Sequence, residues 1–393
     1  MTESIVIVSA ARTPMGSFQG DFSALAAHDL GAAAIRAAVE RAGIAPDVVD
    51  EVLFGNVLPA GQGQAPARQA ALKAGLPISA GAVTLSKICG SGMRSAMFGH
   101  DMLLAGSADV LVTGGMESMT NAPYLLQKGR GGYRIGHDRI FDHMMLDGLE
   151  DAYEAGRSMG TFGEDCAAKF GFTREQQDAY AITSVTRAQN AISSGAFAAE
   201  ITPVTVKGRA GDKIISIDEG PGRIKLDKIT SLKPAFKKDG TITAASSSSI
   251  NDGAAAMVLM RESTALKLGC KPLARLVAHA VHAQEPAWFA TAPVGSVRKA
   301  LARAGWAVSD VDLWEVNEAF AVVAMALMHD LSLGHEVVNV NGGACALGHP
   351  IGASGARIMV TLMYALQARG LKKGVATLCI GGGEATAVAL EML

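Results

Sequence analysis

Apolar positions along the chain change period again and again. Ser4-Ile5-Val6-Ile7-Val8 is a short continuous run of the kind a buried strand carries. Gly81 to Ile88 again reads as a strand, after which Met97, Met102, Leu103 and Leu104 fall at helical spacing. A further helix is predicted from Thr173 to about Ser193, because Thr173 followed by Gln176 fits a reciprocal capping box. Helix and strand patterns alternate through most of the chain, which predicts an α/β fold.

The alternation is also repeated. Ile35-Arg36-Ala37-Ala38-Val39-Glu40-Arg41-Ala42-Gly43 is followed by Val49-Asp50-Glu51-Val52 and Asn56. Roughly 260 residues later the same order returns as Val297-Arg298-Lys299-Ala300-Leu301-Ala302-Arg303-Ala304-Gly305, Val311-Asp312-Leu313 and Asn317. Ser91-Gly92-Met93-Arg94 leading to Val110–Gly115 parallels Ser354-Gly355-Ala356-Arg357 leading to Thr377–Gly382, and Ala254–Met260 parallels Ala385–Leu390. The chain therefore reads as one unit written twice. Residues 1–118 with 249–270 form one core half and 271–393 the other. Residues 119–248 form an insertion richer in charge and glycine, as in Lys128-Gly129-Arg130-Gly131-Gly132. Long excursions from a compact core usually serve function, so this one is expected to supply a ligand surface.

Composition narrows the function classes. With 49% hydrophobic and 18% charged residues over 393 positions, the chain is a well-buried globular protein of more than one packed unit. A net charge of −2 gives no electrostatic case for nucleic acid or an acidic membrane surface, though a local basic patch for a small anion stays open. Five cysteines without a CxxC argue against a disulfide framework and a zinc ribbon, and for a reducing compartment. No metal is expected. No signal-peptide pattern, membrane-length apolar run or peroxisomal ending is evident, so a cytoplasmic location is expected.

The chemistry concentrates on four residues. Cys89, in Ser86-Lys87-Ile88-Cys89-Gly90-Ser91-Gly92, lies on a strand-to-helix turn, where a helix start is expected to favour the thiolate. The repeat places the loop Asn341–Gly355 opposite it, and His349 in that glycine-rich loop can take the thiol proton. Asn317, between a strand and an apolar helix, is either an N-cap or a side chain that holds a water or carbonyl. Cys379 ends a buried strand before Gly381-Gly382-Gly383, whose N–H groups could serve an oxyanion. A second thiol facing the first suits acid/base work on a weakly acidic carbon. Cys166 and Cys270 read as structural; Cys345, four residues before His349, reads as structural filler or as a residue that lines the site.

Together, Ser86–Gly92, Asn317-Glu318-Ala319-Phe320, Gly348-His349-Pro350-Ile351-Gly352 and Cys379–Gly383 resemble the thiolase family across essentially the whole chain. The resemblance implies two βαβαβαββ halves in layered αβαβα order and a homo-oligomer, dimer or dimer of dimers. It implies that Cys89 is acylated with His349 as base, and that Cys379 moves the proton of the second substrate. One oxyanion site would use His349 and a water on Asn317, the other the N–H groups of Cys89 and Gly381. No permanently bound cofactor is implied; coenzyme A and acetyl-CoA are substrates, met by Leu149, Ser158, Met159, Arg223, Ala244, Ser248 and Phe320. Ser158, the serine run Ser246–Ser249, Glu384 and the bulky pair Trp288-Phe289 depart from the family pattern, and the serine run also reads as a flexible loop. Rival readings are a decarboxylating β-ketoacyl synthase, disfavoured by Cys379, and a non-catalytic CoA-binding protein.

Overall fold

The computed structural model describes residues 3–209 and 211–393. Nine strands follow one hydrogen-bonded path: β1 (Ile5–Arg12), β2 (Glu51–Gly55), β3 (Gly81–Leu85), β4 (Val110–Ser118), β5 (Asn251–Arg261), β6 (Ala274–Ala283), β7 (Leu313–Val316), β8 (Lys373–Ile380) and β9 (Glu384–Met392). Their order in space is β7-β8-β9-β6-β1-β5-β4-β2-β3, and the two-residue strand Gly16–Ser17 pairs with β5.

The path is two similar sheets meeting at a thin seam. β1 and β6 pair only at Val6 with Arg275 and Ile7 with Ala274. On one side β2 lies parallel to β3 and β4, while β5 runs antiparallel between β4 and β1. On the other side β7 is parallel to β8, and β9 runs antiparallel between β8 and β6. Even an irregularity is duplicated. The register of β1 slips between Ile7 and Ser9 against β5, and that of β6 between Leu276 and Ala278 against β9.

Among the described residues, eight helices of nine residues or more accompany the strands: α1 (Ala27–Ala42), α2 (Pro66–Ala74), α3 (Ser91–Ala105), α4 (Met159–Phe170), α5 (Arg174–Ser193), α6 (Ala292–Ala304), α7 (Ala321–Leu331) and α8 (Ser354–Arg369). α1 and α2 cover the outer face of the first sheet, and α6 and α7 that of the second. α3 and α8 fill the middle, touching both sheets and each other, which completes the αβαβα order. β1 and β4 are buried at every position because helices cover both faces, so they read as continuous apolar runs without alternation. α1 and α6 stop at matching glycines, Gly43 and Gly305, both left-handed at φ 68°.

The halves differ in two places. The second half lacks a counterpart of β3; only Val338 bridges Trp314 there. The side chain of Asn339 takes the place of the missing strand, accepting the N–H of Val316 at 2.8 Å and donating to its carbonyl at 2.9 Å. The other difference is the long excursion between Ser118 and Asn251, which carries α4 and α5. α5 begins at the predicted capping box, with Thr173 N–H on Gln176 Oε1 at 2.9 Å and Gln176 N–H on Thr173 Oγ1 at 3.2 Å. The excursion is anchored to β1 by buried Arg12, which reaches Glu200 at 2.5 Å and Asp218 at 2.6 and 2.9 Å. Among the described residues no helix is long and apolar enough to cross a membrane.

The first turns of α3 and α8 cross backbone to backbone. A Cβ on Gly355 would lie 2.4 Å from the Met93 nitrogen, and one on Gly92 2.8 Å from the Ala356 nitrogen. Gly355→Ala is therefore expected to cost about 1–3 kcal/mol, since backbone on both sides has to shift. Urea unfolding checks this against Gly131→Ala, where a Cβ meets open space and stability should be unchanged.

Candidate active site

The helix starts and strand ends that the duplication pairs are also where the chemistry gathers. Cys89 immediately precedes Gly90, the N-cap of α3. Ile88 before it holds φ 46°, a conformation that costs a β-branched residue on the order of 1–3 kcal/mol and marks a constrained turn. Ser91 braces that turn: its hydroxyl accepts the Lys87 N–H at 2.8 Å and donates to the Ile88 carbonyl at 2.7 Å. On the other side His349 enters the turn before α8. Gly348 precedes it at φ 91°, with Asn251 Oδ1 1.8 Å from where a Cβ would stand, so only glycine fits. Cys379 lies near the end of β8, and Gly381 begins the turn to β9.

Cys89, His349, Cys379 and Gly381 line one cavity of about 60 Å³ with Leu149, Met159, Phe289 and Phe320. Asn317 stands behind the imidazole with Nδ2 3.4 Å from His349 Nε2. Its Oδ1 is buried and finds no hydrogen-bond partner among the described residues. The N-cap alternative for Asn317 fails, because Phe320 occupies the N-cap position of α7. Asn317 instead bonds the end of β8 through its N–H to the Thr377 carbonyl at 3.0 Å.

Burial decides the protonation states. It pushes the Cys89 thiol up to about 11, against the N–H groups of Gly381 and Cys89 that lower it, while the Glu117 carboxylate adds to the rise. The residue is only half-buried as a whole, but its sulfur faces the enclosed cavity. The expected resting thiolate is thus corrected: desolvation outweighs the helix start. Burial likewise brings His349 down to about 3, helped by the Arg357 cation. The Ser354 hydroxyl donates to the Pro350 carbonyl at 2.9 Å, so it accepts the His349 Nδ1–H at 2.5 Å. That leaves the Nε2 lone pair as an acceptor, facing the Asn317 Nδ2 at 3.4 Å and bordering the cavity. Cys379 is held well above the ordinary thiol range by burial and then by its neighbour Cys89. The resting site is two thiols and a neutral imidazole.

Two larger cavities continue outward. The first, about 260 Å³, shares Leu149, Met159, Ser248, Phe320 and His349 with the inner one and adds Ser158 and Phe236. The second, about 430 Å³, has Ser249 in common with it and is lined by Arg223, Ala244, Lys225 and Lys228. Of the anticipated coenzyme-binding residues, Leu149, Ser158, Met159, Ser248 and Phe320 thus gather at the catalytic cluster, while Arg223 and Ala244 lie in the outer cavity. Ser158 also caps α4 by accepting the Gly160 N–H.

The departures from the family pattern resolve individually. The serine run is an ordered wall, not a flexible loop: Ser246 and Ser247 are buried on Thr243, and Ser248 donates to the Ala319 carbonyl through N–H and hydroxyl at 3.0 and 3.1 Å. Of the bulky pair only Phe289 faces the catalytic cavity; Trp288 lies under Lys169. Glu384 pairs with Lys87, tying the turn after β8 to the approach to Cys89. Sequence reading missed Ser354, Lys225 and Lys228; it placed the pair Trp288-Phe289 near the acyl pocket without distinguishing which of the two walls it. The spacing of Arg223, Lys225 and Lys228 was the available signal for the two lysines.

Because the resting thiol is neutral, alkylation of Cys89 by iodoacetamide should accelerate with pH past 9 toward a midpoint near 11. A rate plateau reached by neutral pH would contradict the burial argument.

Comparison with known proteins agrees with this geometry. The thiolase N-terminal domain model matches residues 5–263 and the thiolase C-terminal domain model residues 270–392. The chain is 50% identical over 391 residues to the acetyl-CoA acetyltransferase of Rhizobium meliloti (strain 1021), covering 99% of both. It is 50% identical over 392 residues to acetyl-CoA acetyltransferase 2 of Arabidopsis thaliana, covering 99% of this chain and 97% of that one. The crystal structure of the Bacillus anthracis acetyl-CoA acetyltransferase superposes with a TM-score of 0.97 at 40% identity, covering 100% of this chain and 99% of that one. The chain belongs to the thiolase family.

Proposed function

We propose that this chain is an acetyl-CoA C-acyltransferase that makes and cleaves 3-oxoacyl-CoA, with acetoacetyl-CoA as its main substrate. The observation that carries this reading is the pair of thiols, Cys89 and Cys379, opening onto one small cavity beside a neutral imidazole. A decarboxylating synthase has no step that uses Cys379.

In thiolysis, Cys89 gives its proton to His349 Nε2 as its sulfur attacks the C3 carbonyl of 3-oxoacyl-CoA. The C2–C3 bond breaks, and the carbanion of the departing acetyl-CoA takes the proton of Cys379. Free coenzyme A then gives its thiol proton to the Cys379 thiolate as its sulfur attacks the acyl group on Cys89, and the departing Cys89 sulfur takes back the proton held by His349, so both thiols are restored. Condensation runs the same steps backwards, with Cys379 removing the proton from acetyl-CoA. The resting states fit these roles. A thiol held protonated by burial is a ready donor, and once deprotonated a strong base for a weakly acidic carbon. An imidazolium beside Arg357 is disfavoured, so His349 passes its proton on.

The N–H groups of Gly381 and Cys89 already converge on Cys89 Sγ, where they can stabilise one oxyanion. The Nε2–H of His349, once it carries the proton taken from Cys89, serves the other with a water held by Asn317. Leu149, Ser158, Met159, Ser248 and Phe320 hold the pantetheine arm, and Arg223, Ala244, Lys225 and Lys228 receive the nucleotide phosphates. Residues 119–248 act as the coenzyme-binding and assembly unit between the core halves 1–118 with 249–270 and 271–393. The protein works in the cytoplasm, in fatty acid metabolism, as a dimer or dimer of dimers. The exposed Val83 on edge strand β3 and Phe98 on α3 are surfaces for the first contact, and Leu126 and Ile135 in the excursion for the second.

Cys89→Ala should abolish labelling by radioactive acetyl-CoA, whereas Cys379→Ala should keep the label and lose condensation. Normal condensation by Cys379→Ala would sink the proposal. Asn317→Ala should lower kcat roughly 100- to 1,000-fold, the usual loss for one oxyanion-site group. Because Phe289 closes the inner cavity, Phe289→Ala should improve kcat/KM for a six-carbon over a four-carbon 3-oxoacyl-CoA by about tenfold or more. Steady-state thiolysis over a chain-length series, with a 2-methyl-branched substrate included, reads this out.

A further inference from the structure

Glu117 has no part in the reaction steps above, yet it is fully buried at the foot of the site. Its carboxylate accepts four hydrogen bonds. Three come from the first half: Asn56 Nδ2 at 2.6 Å, Val57 N–H at 2.9 Å and Leu58 N–H at 3.2 Å. The fourth crosses to the second half, from the Gly352 N–H at 3.0 Å, three residues beyond His349. The carbonyl of the same Gly352 is equally enclosed. It lies 2.0 Å from where a Cβ on Gly115 would be, 2.7 Å from one on Gly55 and 3.0 Å from one on Gly92. The turn that carries His349 is thus plugged into a socket of first-half backbone, and Glu117 is the side chain that closes it.

We infer that Glu117 is a positioning residue for this enzyme: by latching the Gly352 turn to the end of β2, it sets the placement of His349 relative to Cys89. The inference rests on the thiolase reading above. Asn56 and Asn317 are duplicate positions in the two halves, and the pair has divided its work: Asn317 stands at His349 and Asn56 holds the latch. Two observations make the carboxylate more than packing. Removing one bidentate acceptor would strand four buried donors, three of them backbone. The same carboxylate also raises the thiol of Cys89, which places its charge within electrostatic reach of the nucleophile.

The test uses Glu117→Gln and Asn56→Ala in the full-length protein, assayed for acetoacetyl-CoA thiolysis beside wild type. Glu117→Gln keeps shape and one acceptor but turns an amide toward N–H donors. It should lower kcat at least tenfold while KM for coenzyme A stays within about twofold, because the Arg223 cavity is untouched. Its Cys89 alkylation midpoint should move to lower pH, since a like charge has gone; a residue that only supports the fold would not move it. Asn56→Ala, which removes a single donor, should show a smaller kcat loss in the same direction, and it decides the matter if Glu117→Gln does not fold. Wild-type kcat in the folded variants, or an unchanged alkylation midpoint in Glu117→Gln, overturns the inference. Absence of thiolysis in wild type would instead overturn the functional reading.

Discussion

The contact between the first turns of α3 and α8 is the constraint on which the rest of the structure depends. Helix backbones approach this closely only where side chains are absent, and Gly92 and Gly355 supply that at both crossing points. The crossing brings two helix starts to one place, and each is preceded by a turn bearing a reactive side chain, Cys89 on one and His349 on the other. Both sheets then wrap the helix pair, so the strand end bearing Cys379 opens onto the cavity of Cys89 and His349, and the one bearing Asn317 stops behind the imidazole. A duplicated unit thereby makes an unsymmetrical site, because its two copies contribute different residues at matching positions.

Burial is what turns that site toward carbon–carbon bond chemistry. In a cavity of about 60 Å³ with aromatic and aliphatic walls, charge is expensive before the substrate arrives. Thiols stay protonated and the imidazole stays neutral, so protons move with the reacting atoms and no ion pair waits at rest. The ionisable groups Glu117 and Arg357 stand outside the cavity lining: Arg357 lowers His349 and Glu117 raises Cys89 through the field, and Glu117 also accepts the backbone N–H groups of Val57, Leu58 and Gly352. The excursion between β4 and β5 contributes the opposite character: an outer cavity with three cationic side chains, open enough for an anionic carrier.

Much of this was legible in the chain. The repeat exposed the two halves, because strands and helices covered on the same faces demand the same apolar pattern twice. The capping box at Thr173 and Gln176 marked the start of α5, because its hydrogen bonds are local. The four catalytic candidates were recognisable from short motifs whose glycines and flanking strands are also local. Other features were hidden. Asn339 substituting for a strand depends on a contact across 23 residues, and Glu117 holding Gly352 on one across 235. Trp288 and Phe289 are adjacent and similar, and only the packing around them determines which one walls the cavity.

The sequence by itself determined the α/β class, the duplication, the candidate nucleophile and the family to which the chain belongs, all of which follow from periodicity and contiguous motifs. Tertiary structure decided the quantities that depend on distance and solvent. It placed His349 and Cys379 on the same cavity as Cys89, kept the expected thiolate a neutral thiol, divided the candidate coenzyme residues between two cavities, and brought Glu117 onto the Gly352 turn. The physical reason is that hydrogen-bonded local geometry is encoded within a few residues, whereas desolvation is a property of everything packed around a group.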